Sequence, residues 1–353
     1  MADIKGSPLI IRADASIQIG TGHLMRCLAL AQAWKDSGGK IIFITACQTE
    51  SLLQRLRDEG IDIHLLSHPH PDPADWRYTK GILASNPNSW VVLDGYHFDE
   101  TYQHYVKEAG YRLLVIDDLA HLEHYYCDIV LNQNLHAEQL NYSCEPYTRL
   151  LLSTNYVLLR REFLAWKGWK REIPVTAQRV LVTLGGSDPE NFTLKVIQAL
   201  QEVKVPGLEA TVVIGASNPH VDTLEAAVRQ SRIQIRLICD ARNMPELMAW
   251  ADVAVTAAGS TVWELMFMGI PAFLITVADN QEQIAKSTAE VDALIRVNNI
   301  LENWAEILAD KIYRLIFDHE RRARLSYLER SLVDGLGKMR VIENLEVSKP
   351  ARS

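Results

Sequence analysis

The sequence predicts an α/β protein built as two Rossmann-like domains facing across a cleft. Two observations carry that expectation. Short apolar, β-rich runs alternate with helical patterns along the chain. Unbroken apolar strands separated by helices indicate parallel sheets covered on both faces. The alternation stops at Arg161–Gln178, a charged segment with tryptophans and Pro174, and then restarts. That segment separates a first domain, 1–165, from a second, 175–335, and 353 residues suit two domains of ordinary size.

The first strand, Leu9–Ala13, leads through a glycine turn into a helix with Leu24, Leu28 and Ala31 on one face, closed by Gly38-Gly39. Strands follow at Ile41–Thr45, Ile61–Leu66, Trp90–Asp94, Arg112–Asp117 and Ile129–Asn132, with helices after Glu50 and after Asp99. The second domain offers Val180–Leu184, Ala210–Ile214, Ile233–Ile238, Val253–Ala257 and Ala272–Ile275. A last helical stretch, about Asn303 to Val333, is a candidate to pack back on the first domain. The tail beyond Ser348 reads as frayed.

Composition excludes several functions. The balance of 36 basic against 44 acidic residues gives −8, and no basic run occurs, which argues against a nucleic-acid partner. The longest apolar runs, such as Ile41–Ile44, are strand-sized and too short to enter and span a bilayer. Met1–Ser7 lacks the apolar core of a signal peptide, so a cytoplasmic protein is expected. Cys27, Cys47, Cys127, Cys144 and Cys239 form no CxxC pair and support neither a zinc knuckle nor a disulfide framework. His68, His70, His121, His124 and the adjacent Asp117-Asp118 lack metal-ligand spacing, so neither a metal nor a cofactor is expected. Nothing fixes the oligomeric state, and a monomer is compatible with the pattern.

The informative motifs fall at strand ends. Gly20-Thr21-Gly22-His23 sits where a strand passes into a helix, a junction suited to anions because N–H groups and the helix dipole point outward. The third glycine of a dinucleotide fingerprint is absent, since Met25 stands there, and the second strand ends in Ile44-Thr45-Ala46 with no acidic residue. A neutral His23 can accept a proton, with Arg26 one turn on. Arg12 and Asp14, just before the glycine turn, can support it. Gly185-Gly186-Ser187 lets a backbone approach a ligand, and Asp188-Pro189 can cap a helix. Gly259-Ser260-Thr261 can hold a phosphate at a helix start. Glu264 is one turn on, facing ribose hydroxyls or closing a capping box. Asp279-Asn280-Gln281 opens another helix, and Asp94–Asp99 and Asp117-Asp118 end two more strands.

Taken together, these segments resemble a known family. They are RADASIQIGTGHLMRCLALA at 12–31, VVLDGYHFD at 91–99, LLVIDDLA at 113–120, LNQN at 131–134, LVTLGGSDPEN at 181–191, AAGSTVWELMFMGIP at 257–271 and ADNQ at 278–281. The family is the hydrolases that release a trideoxy-diacetamido sugar from its UDP carrier in pseudaminic acid biosynthesis, their substrate being UDP-2,4-diacetamido-2,4,6-trideoxy-β-L-altropyranose. It is similar in fold to GT-B glycosyltransferases, especially the one that adds N-acetylglucosamine to lipid-linked peptidoglycan precursor. The resemblance implies a GT-B-like fold and a UDP-linked diacetamido sugar as substrate. It implies inverting, metal-free attack of water on the anomeric carbon. His23 then matches the base, Tyr96 a tyrosine near the water, Asn280 an active-site asparagine and Glu264 a ribose-binding glutamate. Arg12, Asp14, Gly20, Gly22, Arg26, Gly185, Gly186, Ser187, Met244, Gly259, Ser260, Thr261 and Gln281 complete the expected substrate-binding set. Ala258 departs from the glycine common before Gly-Ser-Thr. Two other readings stay open: a GT-B transferase using a UDP-sugar donor, and a non-catalytic nucleotide-sugar binder.

Overall fold

The computed structural model describes residues 4, 6–16, 19–278, 281–298 and 302–347. The chain divides into two compact units, Met1–Arg161 with Gly335–Ser353, and Glu162–Asp334.

Unit 1 alternates β1 (Pro8–Ala13), α1 (Gly22–Asp36), β2 (Lys40–Thr45), α2 (Glu50–Asp58), β3 (Asp62–Leu65), α3 (Pro73–Ala84), β4 (Trp90–Asp94), α4 (Glu100–Glu108), β5 (Arg112–Ile116), β6 (Ile129–Asn132) and β7 (Arg149–Leu152). The strands form one sheet in the order β3-β2-β1-β4-β5-β6-β7. Every pairing in it is parallel. The apolar runs of β1, β4 and β5 are buried because helices cover both faces.

A short helix, α5 (Arg161–Leu164), starts the crossing into unit 2. There follow β8 (Arg179–Thr183), α6 (Phe192–Glu202), β9 (Glu209–Ile214), α7 (Val221–Arg229), β10 (Gln234–Cys239), α8 (Met244–Trp250), β11 (Val253–Ala257), α9 (Thr261–Met268), β12 (Ala272–Ile275), α10 (Glu282–Glu290), β13 (Ile295–Val297), α11 (Trp304–Phe317), α12 (His319–Leu332) and α13 (Gly337–Val347). The unit 2 strands run β10-β9-β8-β11-β12-β13, again all parallel.

In both sheets the connection reverses direction beside the first strand. The switch falls between β1 and β4 in unit 1 and between β8 and β11 in unit 2. Loops at the carboxyl ends of such strand pairs splay to opposite faces and leave a crevice that open α/β sheets use for ligands.

Several elements depart from the sequence expectation. The stretch 303–333 is two helices, broken where the Asp318 side chain accepts from Arg321 N at 2.9 Å and caps α12. They pack on α6 and α9 within unit 2. The segment that rejoins unit 1 is α13, where a side chain at Gly337 would lie 2.3 Å from the Val157 carbonyl. Strands β7 and β13 were not expected, being four and three residues long. So short a run gains its strand from a neighbouring ladder and carries too little periodicity to be read alone.

Candidate active site

The turn into α1 is built by Gly20 at φ +75°, which closes a bridge with Ser16 and lets the chain reverse before the helix. Thr21 makes no side-chain cap, and Gly22 and His23 open the helix. His23 is thereby fixed at the β1 side of the unit 1 switch, and Asp94, the last residue of β4, faces it from the other side. His23 Nδ1 lies 2.6 Å from Asp94 Oδ1. Arg26 Nη2 is also within 3.2 Å of that nitrogen. A guanidinium can only donate and an ionised carboxylate can only accept. The shorter contact therefore assigns the Nδ1 proton to the Asp94 bond, because two lone pairs at that distance would repel. This tautomer leaves Nε2 as the basic nitrogen.

Arg26 ties the site together. It donates to Asp94 from Nε at 2.6 Å and from Nη2 at 2.7 Å, and to both Asp118 oxygens from Nη1 at 2.8 and 2.9 Å. Burial alone would raise the Asp94 carboxyl. The charge of Arg26, with hydrogen bonds from Arg26 and His23, outweighs burial and holds it below the usual carboxylate range. Asp118 is lowered in the same way, burial again being overcome by Arg26. Cys27 Sγ donates to Asp94 Oδ2 at 3.3 Å, and Asn134 Nδ2 to Asp118 Oδ1 at 2.8 Å. Tyr96 donates to Asp118 at 2.9 Å, and its ring meets His23 edge-to-face at 4.9 Å. Asp94, Asp118 and Asn134 complete a network that the motifs alone did not assign. The available signal was a polar residue at the carboxyl end of an apolar strand.

Two residues of unit 1 expected to bind substrate, Arg12 and Asp14, are engaged by other groups of the unit. Arg12 is fully buried and donates to Asp14 at 2.6 Å and to Asp75 at 2.7 and 3.1 Å. Asp14 also accepts from Ala46 N at 2.6 Å. Asp14 Oδ2 also lies 3.1 Å from His97 Nε2. Arg26 is 7% exposed and engaged by two carboxylates.

In unit 2 the loops after β8 and β11 lie side by side at the switch. Gly185 takes φ +98°, and a side chain at Gly215 would lie 2.1 Å from the Gly186 carbonyl, so the next loop touches this one. Ser187 is buried. Asp188 accepts from Phe192 N at 2.9 Å and Thr193 N at 2.8 Å, and the N-cap Asn191 accepts from Leu194 N at 3.3 Å, so both side chains hold the start of α6. At α9 the Gly259 N–H donates to the Ala257 carbonyl at 2.8 Å. Among the described residues, the Ser260 and Thr261 N–H groups have no acceptor. Glu264 is half-buried one turn on. Gln281 Oε1 accepts from Val277 N at 3.1 Å, and its Nε2 reaches within 4.0 Å of a side chain built at Gly259. Met244 is buried at the start of α8. Asp279 and Asn280 lie outside the described residues.

The adjacent Asp117 and Asp118 serve separate loops. Asp117 Oδ2 caps its own turn through Leu119 N at 2.9 Å and Ala120 N at 2.7 Å, whereas Asp118 turns to Arg26. Among the described residues no helix is long and apolar enough to cross a membrane.

Residues 180–329 match the model of the glycosyltransferase family 28 C-terminal domain. The chain is 28% identical over 275 residues to the uncharacterized protein MJ1062 of Methanocaldococcus jannaschii, covering 76% of this chain and 55% of that one. It thus spans about half the length of that relative. It is 26% identical over 282 residues to the UDP-2,4-diacetamido-2,4,6-trideoxy-beta-L-altropyranose hydrolase of Campylobacter jejuni, covering 78% of this chain and 94% of that one. Among solved structures, MurG of Acinetobacter baumannii superimposes with a TM-score of 0.65 at 14% identity, covering 97% of this chain and 99% of that one.

Proposed function

For this chain, a GT-B-like protein related to the UDP-diacetamido-sugar hydrolases, we propose hydrolysis of a UDP-linked 2,4-diacetamido-2,4,6-trideoxy sugar. The observation that carries the reading is the His23–Asp94 pair at 2.6 Å, at the ligand-binding switch of unit 1. An imidazole held by a buried carboxylate has a fixed tautomer and a basic nitrogen aimed outward.

In this scheme water attacks the anomeric carbon and its proton passes to His23 Nε2. The new C–O bond forms as the bond to the β-phosphate oxygen breaks, and the electron pair leaves on UDP. Attack opposite the leaving group inverts the anomeric centre. His23 then returns its proton to solvent, and no metal ion takes part. Unit 1 serves the water and the sugar, with Tyr96 beside the base. Unit 2 serves UDP through Ser260, Thr261 and the Gly185–Ser187 loop, with Glu264 toward the ribose. Asn280 keeps the active-site role that the family resemblance implies. We assign the reaction to the cytoplasm and its product to nonulosonate biosynthesis, with pseudaminic acid as the end point.

The test is incubation with UDP-2,4-diacetamido-2,4,6-trideoxy-β-L-altropyranose alone, following UDP release and the first-formed anomer by NMR. The expected result is stoichiometric UDP with an inverted anomer ahead of mutarotation. The match to the family 28 glycosyltransferase domain favours transfer as a second reading. UDP released only after an acceptor is added would select it, and UDP binding without turnover would reject both.

A further expected result concerns α9. Ser260 has φ −59°, which proline adopts without strain. Ser260→Pro removes one unclaimed N–H, whereas Ser260→Ala removes only the hydroxyl. A charge-assisted hydrogen bond contributes about 1.5–3 kcal/mol, so Ser260→Pro should weaken UDP binding by roughly 10- to 100-fold. Calorimetric titration of UDP into both variants checks this. Equal affinities would show that the backbone donor does not hold the nucleotide.

A further inference from the structure

We propose that His97 is a positioning residue: set against Asp14 across the β1–β4 switch, its ring braces the Gly95–His97 turn and keeps Tyr96 beside the His23–Asp94 pair. The kinetic part of this proposal rests on the hydrolase reading above; the structural part does not.

Two histidines cross the switch in opposite directions. His23 enters from the β1 side and meets Asp94, the last residue of β4. His97 follows β4 and meets Asp14, the residue after β1, with Nε2 3.1 Å from Oδ2. Asp14 cannot follow the ring, because its other oxygen accepts from Arg12 Nη1 and from Ala46 N, each at 2.6 Å. His97 Nε2 is sealed from solvent. A bare lone pair so close to a carboxylate would repel, so this nitrogen carries the proton. The carboxylate stands out of line with that N–H, so packing shares the hold.

The packing is specific. A side chain built at Gly95 would lie 2.7 Å from His97 Cε1 and 2.9 Å from Nδ1, so the imidazole fills the space that a β-carbon would need. Its ring centre lies 4.0 Å from that of Phe98, which is buried and carries the Arg12 guanidinium over its face at 5.0 Å. The Phe98 N–H closes the turn on the Gly95 carbonyl at 3.2 Å.

Tyr96 stands between these two residues. Gly95 takes φ +155°, where glycine moves freely and other residues are strained, so the backbone entering Tyr96 supplies little restraint of its own. Restraint comes from both sides: the Tyr96 hydroxyl donates to Asp118 at 2.9 Å, and the next residue is braced on Asp14. The Tyr96 ring is thereby left edge-to-face with His23 at 4.9 Å.

His97→Ala removes the brace and keeps Tyr96, His23 and Asp94. A displacement of about 1 Å near reacting groups costs up to about 100-fold, so kcat for UDP release should fall by about 10- to 100-fold with KM within about threefold. His97→Phe keeps a ring over Gly95 but offers Asp14 no N–H, and should lose kcat as His97→Ala does. Two readouts need no turnover. The nuclear Overhauser contact between the Tyr96 and His23 rings, assigned with Tyr96→Phe, should be present in the wild type and lost in His97→Ala. Gly95→Ala should lower the midpoint of thermal unfolding more in the wild type than in His97→Ala, where the clash with the imidazole is gone and only backbone strain remains. His97→Ala with wild-type kcat or an intact Overhauser contact would overturn the brace, as would equal costs of Gly95→Ala in the two backgrounds. If both structural readouts hold while the wild type releases no UDP, the hydrolase reading fails and the brace stands.

Discussion

His23→Gln lowers kcat for UDP release by roughly 10²–10⁴-fold, the contribution of a positioned general base, and leaves KM within about threefold. The glutamine amide fills the space but cannot take a proton from water. Asp94→Asn acts on the same proton from the other end. Asp94 accepts at once from His23 and from Arg26. An amide has one oxygen for these donors and turns its N–H₂ group against the other. The imidazole is then driven toward the tautomer with its proton on Nε2, where the base is needed. In serine proteases the corresponding exchange costs about 10⁴ in kcat, and a loss of that order is expected here. Single-turnover UDP release, with circular dichroism as the control for folding, measures both variants. Retention of more than about a tenth of wild-type kcat in His23→Gln would remove His23 from the chemistry.

Arg12→Met destabilises unit 1 by about 3–5 kcal/mol, the usual cost of removing one partner from a buried ion pair. The guanidinium is fully buried between Asp14 and Asp75. Asp75 keeps Tyr102 Oη at 2.7 Å and His70 N at 2.7 Å, and Asp14 keeps Ala46 N, but both lose their counter-charge. For a unit of this size the midpoint of thermal unfolding should fall by about 6–20 °C. The pH dependence has a definite sign. Burial would raise both carboxyls, yet hydrogen bonds and charge from their partners, Arg12 among them, hold both below the ordinary range. Their contribution is complete above the unfolded carboxylate value of about 4 and is lost as pH falls through the lower folded values. The gap between wild type and variant should therefore narrow in acid. Arg12→Met/Asp75→Asn should recover part of the loss, since one orphaned charge is removed. Calorimetry between pH 3 and 8 measures this. A tenfold loss of kcat without loss of stability would return Arg12 to the substrate pocket.

These two arginines mark the limit of what could be read along the chain. Arg12 and Arg26 flank the same glycine turn, and nothing in their spacing says which charges they meet. Asp75 is 63 residues from Arg12, and Asp94 and Asp118 are 68 and 92 from Arg26. A glycine before Ser-Thr suits a phosphate cradle, and nothing along the chain shows the local bond from Gly259 N–H to the Ala257 carbonyl.

By itself the sequence determined the parallel α/β architecture, since apolar runs of strand length separated by helices can bury their surface in few other ways. It also determined that the polar motifs sit at strand carboxyl ends, because strand boundaries are written locally in apolar and turn residues. Only the tertiary structure decided strand order, and with it which motifs meet at each switch. It decided that Asp94 meets His23 Nδ1 and that Arg12 meets Asp14 and Asp75. It decided too that α13 returns to unit 1 while α11 and α12 stay with unit 2. Local periodicity sets what a segment can become. Its partner is chosen by long-range burial, where an unpaired charge or an uncovered apolar face costs several kcal/mol, and that choice leaves no mark on neighbouring residues.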